Sequence, residues 1–168
     1  PQLLATQAAI CAAAGDKAKA KAAFDAAIES LQDKRNQIGA LVGQVQASIE
    51  PALLAELLRP WANRDETGQI SFLIAQILLQ DKDSTAEAII HLENAQTKTD
   101  TGSPNWFRLQ HMLAIANQNI GDYLKASEIY EQILAKKSDD FIALNNLACV
   151  YTDHVLKPDL AVKYANRA

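Results

Sequence analysis

The sequence predicts an all-α fold built as an array of antiparallel helix pairs, and three observations carry that expectation. Of the 168 residues 30 are alanine, while glycine and proline together number only 11, about 6.5%, against a usual share of about 12%. Alanine loses no side-chain entropy in a helix, and scarce turn-formers disfavour a chain of many short strands. A figure of helix, tight turn and helix recurs with a period near 34 residues. Each such pair is apolar on more than one face, so it buries its surface only by stacking on neighbours.

The first pair covers residues 2–31. Gly15-Asp16-Lys17 turns the chain, and Ala20, Phe24, Ala27 and Ile28 follow at helical spacing. A less regular section spans residues 35–67. It offers a helix over 36–49 and another opening at Pro51, a favourable first-turn residue. Pro60 is expected to end or kink that second helix, since it has no N–H and clashes with the preceding turn. Residues 69–80 form a strongly apolar helix, followed by Asp81-Lys82-Asp83 and a second helix carrying Ala88, Leu92 and Ala95.

Residues 106–120 and 123–137 make the clearest pair. Gly121-Asp122 supplies the turn, because glycine takes a positive φ at no steric cost. Asp122 is placed to cap the second helix, and Lys136-Lys137 suit its negative end. Ser103-Pro104 reads as an N-cap and first-turn proline. Residues 141–151 open a last pair, which Ala161, Tyr164, Ala165 and Ala168 continue. Irregular links fall at 63–68 and 97–105. No linker of low complexity intervenes, so residues 1–168 read as a single array with units 1–34, 35–67, 68–106, 107–140 and a truncated 141–168.

Composition narrows the function. Net charge is -4 with 21% charged residues, and no Lys/Arg run exceeds two residues (Lys34-Arg35, Lys136-Lys137). A nucleic-acid partner is therefore not expected. The longest uncharged stretch, residues 1–15, is too short to span a bilayer and lacks the basic start of a signal peptide. Cys11 and Cys149 make no metal or redox motif. The chain starts with Pro and stops within a helical pattern, so it reads as a fragment whose uncapped C-terminal end exposes apolar surface. The charge balance fits a cytoplasmic or a secreted location equally well; the cytoplasm is slightly favoured, and an upstream signal peptide is not excluded.

These units resemble the tetratricopeptide repeat (TPR) family, whose pattern runs W-x2-L-G-x2-Y, then A-x3-F, then P. Residues 107–140 carry Leu113-Ala114, Gly121-Asp122-Tyr123, Ala126-x3-Tyr130 and Ile133-Leu134, with Gln110 in place of the Trp and Ser138 in place of the Pro. The next unit carries Leu144, Asn145-Asn146-Leu147-Ala148 and Tyr151. Ala8, Gly15-Asp16, Ala20, Phe24 and Ala27 match in the first unit, and Ala75, Ala88, Leu92 and Ala95 in the third. The resemblance implies a right-handed superhelical solenoid of helix pairs; a HEAT or Sel1 repeat is the structural alternative. It also implies binding of a protein or peptide in a concave groove lined by the first helix of each pair.

Helical spacing places on that face Phe72 and Gln76; Arg108, His111, Met112, Ile115 and Asn119; and Asn145, Asn146 and Cys149. Gln118, Ile142, Thr152 and Asp153 lie on the same stripes. Amide side chains both donate and accept, which suits the backbone of an extended peptide. The apolar members serve equally well as packing against neighbouring helices. The basic clamp by which some TPR proteins hold a chaperone's C-terminal carboxylate is not matched, because only Arg108 and His111 supply positive charge.

No catalytic, cofactor or metal site is expected. Glu87 and His91 stand one helical turn apart without a third ligand. His111 has no carboxylate close by in sequence, His154 sits in a turn, and Asp139-Asp140 read as turn or cap charges. The leading expectation is a non-catalytic interaction scaffold. The alternatives are a structural or oligomerising segment of a longer protein, its groove filled by its own chain or a second copy or its C-terminal end paired in a dimer, and the regulatory part of an enzyme whose catalytic domain lies outside the fragment.

Overall fold

The computed structural model describes the backbone of residues 1–168 and the side chains of all but residues 34–36, so the side chains of the Lys34-Arg35 pair lie outside the described residues. The described residues form ten α-helices and one 3-10 turn, with no strand. They divide into two compact units, residues 1–80 and 81–168.

The first unit holds α1 (Gln2–Ala13), α2 (Lys17–Glu29), α3 (Lys34–Val45), α4 (Pro51–Ala62) and α5 (Gln69–Leu78). The α1–α2 pair packs most closely. Its buried positions include Ala5, Ala8, Ala20 and Ala27, side chains small enough to let two backbones approach. Gly15 turns the chain at φ +77°, with open space where a Cβ would stand, so the demand for glycine here is conformational. Asp16 then caps α2, accepting from the Lys19 N–H at 3.1 Å.

The irregular second section does form two helices, but they are not each other's closest neighbours. α4 packs mainly along α5, while α3 leans on α1, α2 and α5. Pro60 neither ends α4 where it stands nor splits it: the helix runs on to Ala62. The proline lies in the last turn and is exposed, so the carbonyl left without a donor can be hydrated. Leu54 and Leu58 of α4 join Phe24, Ile28, Ile38 and Ile74 in a fully buried core; each such side chain contributes roughly 1.5–3 kcal/mol by leaving water. Trp61 fastens α4 to α2, its indole N–H donating to Asp25 Oδ1 at 2.8 Å. In the 63–68 link, Asp65 accepts from the Thr67 N–H at 2.8 Å and the Ile70 N–H at 2.7 Å, satisfying a donor at the start of α5.

The second unit opens with a 3-10 turn at Lys82–Ser84, followed by α6 (Thr85–Thr97), α7 (Pro104–Asn119), α8 (Tyr123–Lys136), α9 (Phe141–Asp153) and α10 (Pro158–Ala165). Each helix packs on the next in sequence, so alternate helices run in the same direction. Three N-caps follow from short polar side chains. Ser103 accepts from the Trp106 N–H at 3.2 Å, Asp122 from the Lys125 N–H at 3.0 Å and Asp140 from the Ala143 N–H at 3.0 Å. The Ser103 cap starts α7 at Pro104, two residues ahead of the expected Trp106. Gly121 takes φ +83° at the α7–α8 turn. Ala168, expected to continue the last helix, lies beyond α10 and is exposed.

The core of this unit comprises Leu92, Leu109, Leu113, Ile129, Tyr130, Ile133, Leu144, Leu147 and Val150. Gln110, which stands where the TPR pattern has Trp, is fully buried, and neither its Nε2 nor its Oε1 has a hydrogen-bond partner.

Candidate partner-binding face

Two polar bridges hold α7 and α9 side by side in the second unit. At one end, His111 Nε2 lies 3.2 Å from Asp140 Oδ1, at the N-cap of α9. At the other, the Tyr130 hydroxyl, rising from α8, donates to Gln118 Oε1 at 2.6 Å and meets the side chain of Asn146 from α9. A helix rises about 1.5 Å per residue. The bridges are therefore roughly 10 Å apart along α7 and roughly 9 Å apart along α9, so the two helices run parallel and nearly in register.

Asp140 is the buried anchor of this arrangement. Burial alone would raise its pKa, but the Ala143 N–H, the nearby His111 and the Lys137 ammonium at 3.3 Å outweigh that and hold it below the usual carboxylate value. Tyr130 is pushed up to about 12, chiefly by burial. Asn146 opposes the rise by stabilising the phenolate, and the neighbouring Cys149 adds to it.

Between and beside the bridges lie the side chains that helical spacing assigned to the face. On α7, Arg108 and Asn119 are exposed, Met112 and His111 are half-buried, and Ile115 is 44% exposed. On α9, Asn145 and Cys149 are exposed, Asn146 is half-buried, and Ile142 is 53% exposed. None of these is consumed by the core. Phe72 and Gln76 belong to the first unit, where both are half-buried on α5.

Sequence reasoning missed two relationships here. His111 does have a carboxylate partner, Asp140, which the fold brings from the far side of α8. Tyr130 is no plain substitute for Phe in the A-x3-F position, because its hydroxyl must be partnered once buried; that rule was the available signal. His91 Nε2 lies 3.7 Å from Glu87 Oε1. His154 stacks flat on Tyr123, ring centroids 3.6 Å apart. Among the described residues no cluster of three or more His, Cys, Asp or Glu could hold a metal ion. No helix among them is long and apolar enough to cross a membrane.

Helix pairs with this turn chemistry, small-residue contacts and capping define a TPR-like helical repeat fold. Solved structures agree. A crystal structure of MamA superimposes with a TM-score of 0.65 at 21% identity, covering 91% of this chain and 86% of that one. A second crystal structure of MamA protein gives 0.65 at 20%, covering 98% and 87%. A crystal structure of the nearly identical TPR-like repeats of a Podosopora anserina putative kinesin light chain gives 0.63 at 18%, covering 98% and 90%. No protein-family model matches the sequence, and no curated protein matches it.

Proposed function

We propose that the chain is a non-catalytic interaction scaffold, and that the parallel α7–α9 face of its second unit holds an extended segment of a partner protein. The observation that carries this is the exposure of Ile115 and Ile142 on adjacent stripes lined by Asn119, Asn145 and Asn146. Solvated isoleucines flanked by amide side chains offer apolar contact and main-chain hydrogen bonds together. Binding on such a face needs no covalent chemistry, and the two bridges preform it, which lowers the ordering cost of association.

The test is selection of a displayed library of random 12-residue peptides against the full chain, followed by NMR shift mapping of a retained peptide. The expected result is a peptide whose shifts centre on Met112, Ile115, Asn145 and Asn146, and whose binding is lost with Ile115→Glu and weakened with Asn146→Ala in folded variants. A peptide mapping elsewhere, or no retained peptide, overturns the reading. A second reading, self-association through the α10 end, is favoured by Val162 at 59% exposure and Leu156 at 77%. A light-scattering mass of two chains, reverting to one with Val162→Glu, would establish it.

A further inference from the structure

Tyr130 is buried to 0% exposure, and a phenylalanine would fill the same space, so its hydroxyl calls for a separate account. The hydroxyl has a single proton, and that proton goes to Gln118 Oε1 at 2.6 Å. Its lone pairs are left for a donor, and the side that faces α9 meets the amide of Asn146. One buried atom, contributed by α8, thus touches a face residue on each of the two parallel helices. Gln118 is only half-buried. With its carbonyl oxygen held from below, the other branch of its planar amide, the NH2, is turned away from Tyr130.

We infer that Tyr130 is a positioning residue for the α7–α9 face, fixing Gln118 so that its NH2 is presented as a donor to a main-chain carbonyl of an extended segment. The inference rests on the function proposed above and adds to it a residue that touches no partner. A glutamine left free would be ordered only on binding, at roughly 0.5–1.5 kcal/mol for such a side chain, which corresponds to about 2- to 12-fold in affinity. Tyr130 sets that order in advance.

The experiment compares the full chain with Tyr130→Phe, Gln118→Met and the double variant, each checked for a cooperative melt. Two readouts are taken: the NMR order parameter of the Gln118 side-chain amide without any ligand, and the Kd of the peptide selected above. The expected result is a Gln118 amide that is rigid in the wild type and mobile in Tyr130→Phe. The Kd should rise about 2- to 12-fold in that variant, with no further rise when the tyrosine change is added to Gln118→Met. The inference is overturned if the Gln118 amide is equally ordered in both chains, or if Tyr130→Phe weakens binding just as much on the Gln118→Met background. If no peptide is selected, the proposed function fails, and the amide order parameter alone then decides whether Tyr130 holds Gln118.

Discussion

The imidazole of His111 and the carboxylate of Asp140 meet at 3.2 Å across the start of α9. Asp140 also caps that helix through the Ala143 N–H and receives Lys137. One buried carboxylate therefore sets the start of α9 and its lateral position against α7.

This makes the stability of the second unit depend on pH in a defined direction. The folded pKa of Asp140 is lowered from an unfolded value of about 3.9. Its contribution is therefore fully present above pH 4 or so and is lost as pH falls through the folded value. Asp140→Asn keeps a capping oxygen and removes the charge. Urea unfolding should show the variant about 1–2 kcal/mol less stable at pH 7, with the gap narrowing at pH 3. An equal gap at both pH values would show that the charge is not the cause.

Gln110→Leu should stabilise the protein. The wild-type amide is fully buried with both polar atoms unpartnered, and an unpartnered buried group costs about 1–3 kcal/mol. Leucine removes that cost and keeps most of the volume. A rise in Tm is the expected result; a fall would mean that the amide is satisfied in solution.

Gly121→Ala should destabilise by about 1–2 kcal/mol, because φ at this turn is +83° and an L side chain is strained there. Nothing lies within 4 Å of an added Cβ, so the cost is one of backbone conformation and the variant should still fold. Chemical denaturation with an unchanged m-value is the check.

Trp61→Phe should cost the first unit about 1 kcal/mol beyond the small loss of packing, since the indole N–H bond to Asp25 crosses from α4 to α2. Pairing it with Asp25→Ala in a double-mutant cycle isolates the bond. A coupling energy near zero would remove Trp61 as the fastener between these helices.

Much of the fold was legible because its determinants are local. Gly15-Asp16 and Gly121-Asp122 carry their turn and cap within two residues, and the alanine stripe of α1 and α2 reports its own close packing. The section around α3 and α4 was harder. Helix existence follows from propensity there, but the preference of α4 for α5 over α3 is a tertiary matter that no 33-residue window contains. Pro60 does not stop its helix where it stands, because the effect of a proline depends on distance from the helix end, and here that end is two residues away. The face followed from helical spacing, since a stripe at i, i+3 and i+4 stays on one side wherever the helix docks. What holds the face did not. Asp140 reaches His111, and Tyr130 reaches Gln118, only after α8 has folded between α7 and α9.

The two tryptophans happen to be divided evenly, Trp61 in the first compact unit and Trp106 in the second, and both are almost wholly shielded from water. The chain therefore carries two tryptophan fluorophores, one to each unit. With excitation that the tyrosines do not absorb, emission from a Trp106→Phe chain follows only residues 1–80, and emission from a Trp61→Phe chain follows only residues 81–168. Melting curves recorded on the two would show whether a helix-repeat chain of this length loses its order in one step or in two, with no added label.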